Sequence, residues 1–211
     1  MSNEKREKII IGIIVALLVV VLVGYIYLFT GSKIKNVSND VIKGEEGTKS
    51  LVIYFTRQGE IPGNVDAVSS ATQNSNEGMD GSDTEAAARM IQSLTGADLY
   101  QIYTEHYYRK SFAGTAATAW IEEQLNLRPK LAAKPDNLDD YDTIYVGYPI
   151  WWFNAPMAIG SFLESYDLSG KTIVPFCTSQ DNDISVSMDY IKEVASGANV
   201  LDGYRIHGAD V

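Results

Sequence analysis

The stretch Tyr141 to Pro156, Tyr-Asp-Thr-Ile-Tyr-Val-Gly-Tyr-Pro-Ile-Trp-Trp-Phe-Asn-Ala-Pro, limits the folds open to this chain more than any other. Residues 143–148 are uncharged and, apart from one glycine, β-branched or aromatic. That is the pattern of a central strand buried on both faces of a parallel sheet. Tyr148-Pro149 ends the strand, because proline has no N–H for the ladder and holds the preceding residue extended. The chain therefore leaves at the carboxyl edge of the sheet, where open α/β sheets bind their ligands. Trp151, Trp152 and Phe153 follow at once. Three adjacent rings cannot all point into the core from one loop, so this loop offers walls for a planar ligand.

The rest of the pattern is a βα alternation. Leu51 to Phe55 reads as strand one, and Thr84 to Leu94 as a helix with Ala87, Met90, Ile91 and Leu94 on one face, started by Ser82 or Asp83 and closed by Gly96. Ala97 to Tyr103 reads as strand two, Ala116 to Leu125 as a helix, and Tyr141 onward as strand three. Met157 to Tyr166 is the next helix, 172–177 strand four, Ile184 to Ala195 a helix, and Asn199 to Tyr204 the region of strand five. Repeated βαβ units predict an α/β fold with a doubly wound, parallel, five-stranded sheet. A covering helix after strand five is missing from the pattern.

Ahead of this domain, Ile9 to Phe29 are 21 uncharged, mostly aliphatic residues, enough for a helix to cross a bilayer core. With no Ala-x-Ala cleavage site after it, the segment reads as an uncleaved single-pass anchor. The short basic tail 1–8 predicts an inside amino terminus and an extracytoplasmic domain, although lysines flank both ends of the span. Residues 30–49 are polar and predict a flexible tether, leaving 50–211 as one domain. Residues 1–49 hold 7 basic and 5 acidic side chains, so the −10 of the whole chain leaves −12 for the domain. Nucleic acid is excluded as a partner for such a surface, whereas a basic protein suits it. Cys177, the single cysteine, sits in an apolar run and reads as core. No His, Cys and carboxylate cluster has metal-ligand spacing, and no nucleophile elbow is present. His106 reads as a solvated loop histidine.

The segments Leu-Val-Ile-Tyr-Phe-Thr (51–56), Thr-Gly-Ala-Asp-Leu (95–99), the 141–152 stretch and Leu-Ser-Gly-Lys-Thr-Ile-Val-Pro-Phe-Cys-Thr-Ser (168–179) together resemble the flavodoxins, in particular the bacterial branch with Tyr-Pro-Ile-Trp-Trp after strand three. The resemblance covers about residues 51–208. It implies strand order 2-1-3-4-5, with FMN at the switch between strands one and three. By position it implies that Pro149, Ile150, Trp151, Trp152, Phe153 and Asn154 flank the flavin ring, with Trp151 or Trp152 stacked on it. Thr178, Ser179, Gln180, Asp181 and Asn182 would supply polar contacts to the ring edge. The family's compact phosphate loop departs here: Thr56-Arg57-Gln58-Gly59 is followed by an insertion of more than twenty residues. Thr56, Arg57, Gln58, Ser82 and Thr84 are the candidates for the phosphate end, and Asp83 at a helix start opposes it.

Within the insertion, Asp66-Ala67-Val68-Ser69-Ser70-Ala71-Thr72 resembles the flavinylation motif of extracytoplasmic FMN-binding domains, with Ser70 where Gly is usual. There a flavin transferase esterifies the final Thr, which implies Thr72 as an attachment site; the alternative is an ordinary polar loop. The resulting expectation is a membrane-tethered FMN electron-transfer protein with a redox protein or a quinone as partner. Two other readings stay open: an NAD(P)H-dependent quinone or flavin reductase, an oxidoreductase on the same fold, and a flavin-free scaffold module.

Overall fold

The computed structural model describes residues 3–57, 82–109, 111–136 and 138–207. Helix α1 (Asn3–Phe29) comes first. Its segment Lys5–Tyr27 is 23 residues long with a mean hydropathy of 3.3, long and apolar enough to cross a membrane. At 1.5 Å per residue that segment spans about 35 Å, against about 30 Å for a bilayer core. Its aliphatic side chains are exposed along its length, so this is not the core helix of the domain.

The domain then alternates β1 (Ser50–Tyr54), α2 (Asp83–Thr95), β2 (Asp98–Gln101), α3 (Phe112–Gln124), β3 (Thr143–Pro149), α4 (Met157–Leu163), β4 (Thr172–Thr178), α5 (Ser185–Val194), β5 (Asn199–Val200) and β6 (Tyr204–Ile206). The sheet order is β2-β1-β3-β4-β5, as the flavodoxin resemblance implies, and every pair is parallel, as the alternation predicts. β6 also pairs with β4, so the expected fifth strand is present in two pieces along one edge. Leu201 still donates to Ile173 O (2.9 Å) before the chain bends at Asp202-Gly203 and rejoins opposite Phe176. Gly203 passes so close to Ile184 that a Cβ there would sit 2.5 Å from its Cδ1. Among the described residues no helix follows β6.

β1 is buried along both faces, which is why its sequence shows no polar alternation. Leu51, Ile53 and Phe55 enter the core under α4 and α5, while Val52 and Tyr54 meet Ala87 and Ala88 of α2 on the other side. α2 starts where Ser82 Oγ accepts the Glu85 N–H (3.2 Å) and stops at Gly96, whose φ of 65° is the left-handed cap. At Gly147 the centre of the sheet has no room for a side chain, because a Cβ would lie 2.1 Å from Phe176 Cζ on β4. α3 departs from the doubly wound pattern: its main neighbours are α1 and α4, so it stands beside the carboxyl edge of the sheet.

Residues 30–49, whose composition predicts a flexible tether, are instead held against the domain. The Tyr107 N–H donates to Ser32 O (3.1 Å) and the Ile34 N–H to Glu105 O (3.0 Å). Ile42 and Leu99 exchange both backbone hydrogen bonds at 2.8 Å, covering the outer edge of β2. Asp98 anchors this strap: it accepts from Lys43 Nζ (2.8 Å), the Gly44 N–H (2.8 Å) and the Tyr141 hydroxyl. Polar composition hid the strap because its pairing with β2 and with residues 105–107 is made by main chain.

Candidate functional site

The carboxyl ends of β1, β3 and β4 meet under one loop. Past Pro149 the chain makes a tight turn in which the Trp151 N–H donates to Asn154 O and the Asn154 N–H to Trp151 O, both at 2.9 Å. Its two central residues, Trp152 and Phe153, have φ of 49° and 63°. Two positive φ values define the type I′ turn, which ordinarily takes Asn-Gly. Left-handed backbone costs a bulky residue about 1–2 kcal/mol. The turn spends that energy on presenting rings: Trp152 and Phe153 are 47% and 66% exposed. Asn154 Oδ1 accepts the Ala155 N–H (2.8 Å) and steadies the exit.

The three aromatics are placed differently. Trp151 is half-buried, its ring set edge-on to Phe55 (centroids 5.5 Å, 84°) and Tyr108 (5.2 Å, 79°). Trp152 Nε1 donates to Ala116 O on α3 (2.8 Å), which ties the turn to that helix. Between turn and helix lies a cavity of about 320 Å³, lined by Ile150, Trp151, Trp152 and Phe153, by Arg57 after β1, by Phe112, Thr115, Ala116 and Ala119 of α3, and by Asn182 after β4. This volume is within the range of small-ligand sites, and its aromatic walls with few polar groups match their usual chemistry. Arg57, 7% exposed, brings a positive charge. The α3 contribution was not read from the sequence. Its signal is the Ser111 cap, whose Oγ accepts the Gly114 N–H (3.2 Å) and starts the helix a turn before Ala116.

The second group of expected residues sits at the start of α2. Thr56 and Ser82 are buried, and Ser82 Oγ is occupied by the helix cap. Thr84 is fully buried with its Oγ1 2.7 Å from Thr178 Oγ1, so these two hydroxyls join α2 to β4. Asp83 is 3% exposed, and burial pushes its carboxyl up to about 6, with His207 pulling the other way. Gln58 and Thr72 lie outside the described residues.

After β4, Ser179 Oγ accepts the Asn182 N–H (2.9 Å), and the Gln180 carbonyl accepts from Arg205 (3.3 Å). Gln180 and Asp181 are exposed at the rim. The β3 loop, Arg57 and Asn182 thus come together at one cavity, whereas Thr84 and Thr178 face each other away from its lining. Cys177 is fully buried and its thiol is pushed up to about 12 by burial, in keeping with a core role. Among the described residues no group of three or more potential metal ligands occurs.

The flavodoxin family profile matches residues 78–210. Among solved structures, a Bacteroides uniformis protein assigned as a flavoprotein is 30% identical, over 78% of this chain and 93% of its own, with a TM-score of 0.60. A Bacteroides eggerthii protein assigned likewise is 29% identical, over 75% and 88%, at 0.59. The flavoprotein of Lactobacillus acidophilus NCFM in complex with FMN is 22% identical, over 75% and 93%, at 0.55, a likeness of fold alone. No curated protein matches the chain. Sheet order, strand-end cavity and profile agree: the chain belongs to the flavodoxin family.

Proposed function

We propose that this chain is a membrane-tethered flavodoxin that binds FMN at the aromatic strand-end cavity and carries electrons between redox partners. The observation that carries the reading is the strained Trp152-Phe153 turn, which forms one wall of that cavity at the carboxyl ends of β1, β3 and β4. The L. acidophilus relative is a complex with FMN, which supports the same ligand here. The described residues fit the ring end: flat aromatic walls, a buried arginine and the Asn182 edge. At the phosphate end they fit less well. Ser82 and Thr84 are already hydrogen-bonded, and Asp83 opposes a dianion at the start of α2.

When bound, FMN supplies one- and two-electron redox chemistry. The chain's own residues then bind and orient. Phe55 and Tyr108 lock the Trp151 ring edge-on, the Ala116 carbonyl fixes Trp152, and Phe153 shields the mouth from water. The −12 charge of residues 50–211 disfavours further negative charge on the ligand and so favours its oxidised state. The exposed apolar α1 supports tethering to a membrane.

Covalent attachment at Thr72, by a flavin transferase, is the finer form of this reading and rests on the segment 66–72. It would compensate for the weak phosphate end. The deciding experiment is intact mass after denaturation, on full-length protein made with a flavin transferase. Addition of FMN less water, mapped to Thr72 and lost in Thr72→Ala, supports the covalent form. An unmodified mass with yellow native protein leaves noncovalent FMN. Protein that stays colourless with added FMN overturns the flavin reading, and oxidation of NAD(P)H by the chain alone would make it an enzyme.

A further inference from the structure

A second cavity, of about 350 Å³, lies where the end of α1 meets the domain. Tyr25 and Phe29 form one wall, stacked on each other with centroids 4.8 Å apart. His106, Tyr108 and Glu122 face them, with Arg128 and Lys130 at the side. The strap holds the two halves together through the Tyr107-to-Ser32 and Ile34-to-Glu105 hydrogen bonds, and the Arg109 guanidinium lies 4.1 Å over the Tyr27 ring. None of these contacts is used by the aromatic strand-end cavity.

We propose that this cavity binds the head group of a membrane quinone and passes electrons between it and the flavin site. The inference rests on the flavin reading above and names the partner for it. Three observations carry it. First, Tyr25 lies in the last turn of the 23-residue apolar span and Phe29 just past its end, so the cavity opens at the level where a bilayer would meet water. A ligand with an apolar tail and a polar planar head can enter from that side.

Second, the lining suits a neutral ring with carbonyl oxygens better than a phospholipid phosphate. Lys130 (3.3 Å) and Lys33 (2.7 Å) are paired with Glu105, Arg128 with Glu164 (2.7 Å), and Glu122 adds a further carboxyl. Each of these three cations is thus already ion-paired, which leaves none of them free to take a phosphate. Burial raises the Glu122 carboxyl to about 7, so near neutral pH it is partly protonated and able to donate to a carbonyl oxygen.

Third, one pair of touching rings separates the two cavities. Tyr108 lines this one and donates to Glu122 Oε2 (2.8 Å), while its ring meets Trp151 of the strand-end cavity at 5.2 Å. A head group beside Tyr108 is therefore one pair of touching rings from the flavin site. The exchange balances without another reactant: a quinone gains two electrons and two protons in becoming the quinol, and a dihydroflavin loses the same in returning to flavin.

The test uses the full chain, free of flavin, in phospholipid nanodiscs, with a photoreactive azido-benzoquinone carrying a ten-carbon tail. Labelling of peptides spanning 104–109 or 122–130, competed by unlabelled decyl-benzoquinone, is the expected result. It should fall at least tenfold in Leu127→Trp, which fills the cavity, and in His106→Trp, which fills it from the other side. Label confined to 150–153, label spread along α1, or label displaced by phospholipid but not by quinone overturns the proposal. FMN binding is measured separately on the same preparations. FMN bound with no label in this cavity sinks the quinone site alone, whereas label in place with no FMN bound sinks the flavin reading and leaves the site. With FMN bound and chemically reduced, anaerobic reoxidation by decyl-benzoquinone should slow at least tenfold in Leu127→Trp while reoxidation by ferricyanide is unchanged. Equal slowing of both would overturn the electron path.

Discussion

Glu122 offers a quantitative check on the packing of α3. It is 4% exposed and accepts the Tyr108 hydroxyl at 2.8 Å. Burial raises its carboxyl from an ordinary 4.5 to about 7, with the Tyr108 hydrogen bond pulling down. An acid raised in the folded state holds its proton more tightly there than in the unfolded chain. Its stability contribution is complete below about pH 4.5 and is lost as pH rises through about 7. The gap corresponds to about 3 kcal/mol, fully felt by about pH 8. Glu122→Gln keeps an acceptor for Tyr108 and removes the ionisation. Wild type and variant should therefore match near pH 4 and diverge above pH 5, the variant being more stable by about 3 kcal/mol at pH 8. For a domain of this size that is a Tm difference of roughly 6–12 °C, read by near-ultraviolet circular dichroism in detergent across pH 4–9. Two Tm curves that stay parallel over this range would refute the burial argument, as would a variant less stable at pH 8.

Three further outcomes are expected. Trp151→Ala removes the ring that touches both Phe55 and Tyr108, costing about 2–3 kcal/mol in denaturant unfolding and weakening FMN binding at least tenfold by fluorescence titration, with Trp151→Phe recovering most of the stability. Gly147→Ala drives a methyl into the Phe176 ring and should cost about 2–3 kcal/mol, part of it recovered in the double variant with Phe176→Leu. Asp98 is raised by burial but pulled lower overall by the Gly44 N–H, Lys43 and Tyr141, so its contribution holds above the ordinary carboxylate range and is lost as pH falls below it. Protection factors at Ile42 and Leu99, corrected for the intrinsic exchange rate at each pH, should accordingly fall in Asp98→Asn at neutral pH and in wild type on acidification.

The parallel sheet, the strand-end loop and the apolar amino-terminal helix were legible because each rests on a local signal, whereas the strand order came with the flavodoxin resemblance. The uncharged 143–148 run, the Tyr148-Pro149 stop and the apolar 9–29 run owe nothing to distant residues. Helix ends were legible to within a few residues where a cap was visible, as at Ser82 and Gly96. What stayed hidden was set by tertiary contact. The strap pairs with β2 and with residues 105–107 by main-chain bonds that any polar sequence could form. α3 reads as an ordinary crossover helix, yet it stands against α1 and α4 and thereby walls both cavities. Thr84 has the residue type and position of a phosphate ligand, but Thr178 on a strand 94 residues away takes its hydroxyl. His106 reads as a solvated loop residue; that it also lines the second cavity was hidden, because the strap crosses beside it.

For the tethered electron carrier proposed above, the strap changes what anchoring can do. On a flexible linker of some twenty residues the domain would sample all orientations, and a membrane anchor would raise only its local concentration. Here residues 31–34 run along 105–107 and Ile42 pairs with β2, so the domain is fixed relative to the end of α1. Fixing it places the Tyr108–Trp151 ring pair between the cavity at the end of α1 and the strand-end cavity. The opposite rim, with Phe153, Gln180 and Asp181, is left exposed. With α1 in a membrane as proposed, such an arrangement would separate two approaches to one site, a lipid-side approach through α1 and a water-side approach over the aromatic turn. The strength of the strap thus bears on which partners can reach the site as well as on stability, and loosening Asp98 should affect the lipid-side approach first.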